Sequence, residues 1–183
     1  LIEKFKDEFD ELYIFCKNID KTKEIIDFKK NKKKKIFFFE NDLEDIEMTL
    51  KDINRLPNDL SGVFWVTGVT GDPDKEYENR KDLEKNLNIN LLNPLICLSL
   101  ISKKIIKNNK SFICVFSSFA GLRGRKKRLY YSSAKSGLTV FLSGLRQKLN
   151  NKIKIFTVIP GYISTNTFSE KAPKFLISSP KQC

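Results

Sequence analysis

Tyr131 and Lys135 lie four residues apart, so on a helix over residues 130–149 they share one face. An ammonium beside a phenol favours the phenolate and draws the tyrosine below its usual pKa of about 10. A phenol tuned in this way exchanges a proton with a carbonyl or alcohol oxygen at neutral pH. Ser118 stands thirteen residues before Tyr131, at the end of the apolar run 111–116, where its hydroxyl can hydrogen-bond the same oxygen. A lone Tyr-x-x-x-Lys pair also describes an exposed tyrosine next to a lysine. The serine at a strand end, the turn at Gly121 and the helical pair together are far more specific.

Those side chains need a scaffold, and the chain supplies a regular one. Short apolar runs at 12–16, 36–39, 62–66, 111–116 and 153–159 read as strands. Helices are expected over 19–30, 45–53, 80–106 (disturbed at Pro94) and 130–149. The strands are continuous apolar runs rather than alternating ones, which is the signature of burial on both faces. Strand–helix alternation of this kind predicts an α/β, Rossmann-type doubly wound parallel sheet. Turn signals at Gly68, Gly71-Asp72-Pro73, Gly121, Gly124 and Pro160-Gly161 fall just after strands, the edge where such sheets bind ligands.

Composition narrows the class further. A chain of 183 residues suits one domain, here residues 1–183, and can bury a core. With 40% hydrophobic and 31% charged residues it reads as folded rather than disordered. Cys16, Cys97, Cys114 and Cys183 are far apart, no CxxC occurs and there is no histidine, so neither a structural zinc site, nor any metal site, nor a His-based triad is expected. Reduced thiols fit a cytoplasmic protein. The charged opening Leu1-Ile2-Glu3-Lys4 does not resemble a signal peptide, and the apolar stretch 91–106 is too short and interrupted to span a bilayer, so no integral membrane association is expected. The 34 Lys and Arg exceed the 22 Asp and Glu, giving +12, with clusters at 29–35 and 123–128. Such runs read either as solvated loops or as grips for nucleic acid or an anionic surface; without RNP, finger or helix-turn-helix motifs, no nucleic-acid partner is expected.

On these residues the chain resembles the short-chain dehydrogenase/reductase family over nearly its whole length. Ser118, Tyr131 and Lys135 stand where that family keeps its catalytic serine, tyrosine and lysine. Ile89-Asn90-Leu91-Leu92 is similar to the family's VNL segment, which gives Asn90 the fourth place in a proton relay. Pro160-Gly161-Tyr162-Ile163-Ser164-Thr165 matches the PGxxxT segment that holds the nicotinamide carboxamide and phosphates, implicating Pro160, Gly161, Ile163 and Thr165. Asp42-Leu43 resembles the pair that contacts adenine, and Gly68 is where backbone approaches the cofactor. The wording of 117–124, 131–138 and 143–146 resembles a bacterial subgroup that includes decaprenylphosphoryl 2-keto-ribose reductases and polysaccharide-cluster reductases. The resemblance implies hydride transfer between nicotinamide and a carbonyl or alcohol, here of a ketosugar or lipid-linked sugar, in a homodimer or homotetramer.

Two departures stand out. The asparagine of the family's NNAG segment is replaced by Val66, and the glycine-rich TGxxxGxG turn is absent. Residues 12–16 then correspond to the family's second strand, and the chain reads as an internal segment of a longer enzyme whose second and fourth strands lack their shared neighbour. Lys17, at the end of that strand, suits the 2′-phosphate of NADP, with NAD the open alternative. Two rival readings are a basic module binding nucleic acid or another polyanion, and a sugar epimerase or dehydratase of the same family. The thirteen-residue Ser–Tyr spacing and the PG segment argue against the latter.

Overall fold

The computed structural model describes residues 8–25, 35–71, 79–108, 110–150, 152–164 and 177–179. The chain divides into two compact units, Leu1–Leu56 and Pro57–Cys183.

In the first unit, β1 (Glu11–Cys16) and β2 (Lys35–Glu40) run parallel, from Glu11 opposite Lys35 to Cys16 opposite Glu40. Aromatic pairs clamp the register: Tyr13 stacks on Phe37 at 4.9 Å and Phe15 on Phe39 at 4.7 Å. The helices are α1 (Ile19–Ile25) and α2 (Ile46–Arg55). Asp45 caps α2 by accepting from the Met48 amide at 3.3 Å. Of the β1 residues only Ile14 is buried, short of the two-sided burial expected from the apolar run.

The second unit holds a three-stranded parallel sheet, β3 (Gly62–Trp65), β4 (Phe112–Phe116) and β5 (Lys154–Val158), with β4 in the centre. Central placement buries Ile113 and Val115 completely. Helix α3 (Arg80–Leu87) passes through a π-helical turn (Asn88–Leu92) into α4 (Asn93–Lys104). The disturbance expected at Pro94 therefore lies just before it. The run from Arg80 to Lys104 is continuous, so Pro94 takes an amide out of its interior, and it is the wider π turn immediately before it, in which the Asn93 amide donates back to the Asn88 carbonyl, that accommodates the proline. After β4 comes a 3₁₀ turn (Phe119–Leu122), then α5 (Leu129–Leu149), which ends on Asn150 in the left-handed conformation at φ 46°. A short parallel pair, β6 (Tyr162–Ile163) and β7 (Ile177–Ser178), was not legible as strand pattern.

The core of this unit is made where α4 and α5 bring Cys97, Leu98, Ile101, Ala134, Leu138, Leu142 and Leu145 inward. Among the described residues no helix is long and apolar enough to cross a membrane, and no group of His, Cys, Asp and Glu could hold a metal ion. The lysine run before Lys35 lies outside the described residues. Leu138 is fully buried on the helix that carries Tyr131 and Lys135. Leu138→Ala should lower the unfolding free energy by about 3 kcal/mol in urea titration.

Candidate active site

Ser118 leaves the end of β4 in an extended conformation and caps the 3₁₀ turn, its Oγ accepting from the Ala120 amide at 3.1 Å. Pro160 takes the Phe119 amide at 3.2 Å, and Val158 takes the Ser117 amide at 2.9 Å. The serine is thus fixed between two strand ends. Helix α5 packs directly on this turn. A Cβ at Gly121 would lie 2.9 Å from the Lys135 carbonyl carbon and the Ser136 amide nitrogen, so only glycine permits the approach. One of the Ser118 neighbours also grips the helix: Ser117 Oγ donates to the Lys135 carbonyl at 3.0 Å and shares a 2.7 Å hydrogen bond with Thr139 Oγ1.

This packing sets the Ser118 hydroxyl beside the Tyr131 phenol, near enough to bear on its titration. The phenol is pushed above its ordinary value because burial disfavours the phenolate; the neighbouring Ser118 hydroxyl and the positive Arg128 partly offset this. The downward shift expected from Lys135 is therefore not what the fold produces. The lysine Nζ lies 5.8 Å from the Tyr131 ring centre and donates instead to the carbonyls of Thr67, at 3.1 Å, and Phe116, at 3.2 Å. Lys135 is 2% exposed, and burial lowers its ammonium to about 8.

Asn90 sits in the π-helical turn and is completely buried. Its Nδ2 donates to the Val69 carbonyl at 2.8 Å, to the Asn86 carbonyl at 3.0 Å and to Asn86 Oδ1 at 2.9 Å, while its Oδ1 accepts from the Val69 amide at 3.1 Å. A side-chain amide paired to both groups of one residue acts as a strand partner for the loop after β3. Gly68 lies in that loop, where a Cβ would come within 3.0 Å of Asn90 Oδ1 and 3.2 Å of Lys135 Nζ. The loop therefore presents bare backbone beside the ammonium. Val66, at the departed asparagine position, is exposed.

Ser118, Tyr131, Lys135, Asn90, Gly68 and Pro160 thus come together within the second unit. Gly161 is exposed and Ile163 half-buried in β6. Thr165 lies outside the described residues. In the first unit Lys17, at the end of β1, pairs with Asp42 at 2.5 Å, which raises the lysine's pKa. Leu43 follows in the same half-buried turn. Sequence reading missed Arg128, which it placed in a basic run. The residue is 6% exposed and donates to the carbonyls of Thr70, at 3.4 Å, and Gly71, at 3.2 Å, tying the loop after β3 to the start of α5. Nothing in a run of like charges marks which member folds inward.

The family model for short chain dehydrogenase matches residues 5–174. The chain belongs to the short chain dehydrogenase family. The 3-oxoacyl-(acyl-carrier-protein) reductase of Bos taurus is 30% identical over 128 residues, 69% of this chain and 51% of that protein. The enzyme of the same name from Buchnera aphidicola subsp. Schizaphis graminum is 30% identical over 138 residues, 73% of this chain and 57% of that protein. A solved structure of ElxO with NADP bound superposes with a TM-score of 0.75 at 26% identity, covering 91% of this chain and 68% of that one. The chain spans about half the length of the curated relatives it matches.

The buried ammonium makes a linkage prediction. Lys135 binds its proton less tightly folded, at about 8, than unfolded, at the ordinary 10.5. Between those values the unfolded chain holds more protons, so the lysine's destabilising effect is full below pH 8 and vanishes as pH rises to 10.5. Relative to Lys135→Met, the natural protein should gain up to about 3 kcal/mol across that window, measured by urea unfolding at several pH values. A pH-independent difference is the opposing result.

Proposed function

We propose that this chain forms the catalytic part of an NADPH-dependent reductase that converts a ketone to an alcohol. The observation that carries the reading is the Ser118–Tyr131 hydroxyl pair, held against the Lys135 ammonium at the ends of β3 and β4. Within the second unit the residues fit the nicotinamide end of the cofactor, with bare backbone at Gly68 and the Lys135 amine beside it, and within the first unit Lys17 is a cation at a strand end. Lys17, Asp42 and Leu43 would hold the adenosine end, and Gly68, Lys135, Pro160, Gly161, Ile163 and Thr165 the nicotinamide end. Bound there, NADPH supplies the hydride.

The chain's own groups manage the oxygen. Ser118 donates to the carbonyl oxygen and orients it, and Tyr131 gives that oxygen its proton as the carbon is reduced. A phenol raised by burial stays protonated across the neutral range, which suits the acid of a reduction. Lys135 and Arg128 are the cations that face the negative charge left on the phenol. Asn90 positions the loop that carries Gly68 and, in the family's scheme, relays protons. NADP rather than NAD is supported by the charged Lys17 and by the NADP-bound ElxO structure.

Two substrate classes are in view. A 3-oxoacyl thioester is supported by the names of the curated relatives. A ketosugar or lipid-linked sugar is supported by the wording of residues 117–124, 131–138 and 143–146. A homodimer or homotetramer built on helix surfaces of α3–α4 and α5 is proposed for the whole enzyme. Family membership and the pairing of the Ser118 and Tyr131 hydroxyls favour catalysis over a nucleic-acid module.

Two experiments test the reading. Tyr131→Phe should lower turnover roughly a thousandfold while NADPH affinity, read by fluorescence titration, stays within about twofold; substantial residual turnover refutes the assignment. Lys17→Asp should cut the preference for NADPH over NADH, read as the ratio of kcat/KM values, by about tenfold or more. Equal losses with both cofactors would remove Lys17 from the cofactor site.

A further inference from the structure

Helix α3 (RKDLEKNL) is strongly polar and has little to bury. Among its residues Asn86 alone is buried, at 2% exposure, while Leu83 and Leu87 are half-buried. An apolar side chain is the ordinary occupant of an inward helix position, and a buried amide is unfavourable unless it is hydrogen-bonded. The partner of Asn86 is the side chain of Asn90, four residues on. The steps assigned to Ser118, Tyr131 and Lys135 make no use of Asn86.

This contact fixes which way the Asn90 amide points. Its Nδ2 carries two hydrogens and faces three acceptors: the Asn86 side-chain oxygen at 2.9 Å, the Asn86 carbonyl at 3.0 Å and the Val69 carbonyl at 2.8 Å. Turning the amide over would set its oxygen against three other oxygens, so one orientation is favoured. In that orientation Oδ1 takes the Val69 amide at 3.1 Å and faces Gly68, where Oδ1 and the Lys135 Nζ both lie within 3.2 Å of the position a Cβ would occupy. The nitrogen end of Asn86 reaches the far end of the same loop: a Cβ on Gly71, held at φ 71°, would lie 3.5 Å from Asn86 Nδ2. Helix α3 therefore meets the loop after β3 at residue 69 through Asn90 and at residue 71 directly. Its one buried side chain is an amide aimed at the backbone beside Lys135.

We propose that Asn86 is a positioning residue, which sets the Asn90 amide and through it holds the Gly68–Val69 backbone beside Lys135. What that backbone is held for rests on the reductase reading, in which Gly68 faces the nicotinamide end of the cofactor. Asn86 acts through Asn90 and touches no reacting atom. Without it the parts of the site remain but the backbone beside the cofactor is less well set, an orientation loss that falls on kcat rather than on KM.

Asn86→Leu, close in size but without the amide, tests this on the full-length enzyme beside Asn86→Asp, which keeps the side-chain acceptor. Reduction of acetoacetyl-CoA and of dihydroxyacetone by NADPH gives the kinetic reading. Amide hydrogen exchange followed by NMR gives a reading that needs no turnover. In N86L the Val69 amide should exchange about tenfold faster and kcat should fall about tenfold, the effect of one hydrogen bond, with KM within about twofold and Tm no lower. N86D should recover most of the lost kcat. N86L should add nothing to the effects of N90A on kcat or on Val69 exchange, because the two residues act through one contact. A merely structural residue gives the opposite pattern: a lower Tm, an unchanged kcat per folded enzyme, and effects that add to those of N90A. That pattern, or a Val69 exchange rate indifferent to N86L, overturns the proposal. Faster Val69 exchange in an enzyme that reduces no ketone keeps the positioning role and removes the reductase. Ketone reduction with kcat and Val69 exchange both untouched by N86L does the reverse.

Discussion

An ammonium group with almost no access to water holds the candidate active site in register. Lys135 reaches from α5 to the carbonyls of Thr67 and Phe116, the residues that end or follow β3 and β4. The lysine donates to both carbonyls at once. Its burial is unfavourable for the charge, as the fall of its pKa to about 8 shows. The fold retains the charge because three pieces of backbone depend on it: two strand ends and the helix that carries Tyr131.

Around that lysine the polar contacts form a chain of mutual restraint. Ser117 grips the Lys135 carbonyl from below, and Gly121 lets the Ser118 turn sit against the same residue. Asn90 and Arg128 hold the loop after β3 from two sides, one through Val69 and the other through Thr70 and Gly71. The hydroxyls of Ser118 and Tyr131 then meet without either being free to wander. Preorganisation of this kind lets a site stabilise a developing charge without rearranging at the moment of reaction.

Much of this was legible in the sequence, and the limits have a physical pattern. Continuous apolar runs identify strands because burial is written locally, and all five principal strands lie where those runs stand. Ser118, Tyr131 and Lys135 were legible because a strand end, a turn and a helical repeat fix their spacing. The direction of the Tyr131 shift was not, since it depends on how far the helix sinks against the turn rather than on which residue is four places away. Arg128 was hidden for a similar reason: five cations in six residues look alike until tertiary contacts select one. The pairing of β6 with β7 joins two-residue segments too short to carry any periodicity.

The π-helical turn at Asn88–Leu92 carries a consequence for how this helix can change. A π turn holds one residue more than the α-helical ladder needs, and each added residue rotates everything beyond it by about 100°. The apolar face of α4 is thus phased for its own packing, independently of α3, and Asn90 occupies the seam. Removing one residue there would yield a more regular helix and a better hydrogen-bond ladder, but would turn Asn90 away from Val69. At this seam helical regularity and the Asn90–Val69 pairing pull in opposite directions, so a one-residue length change should be tolerated far less than a substitution on the exposed side of the same helix.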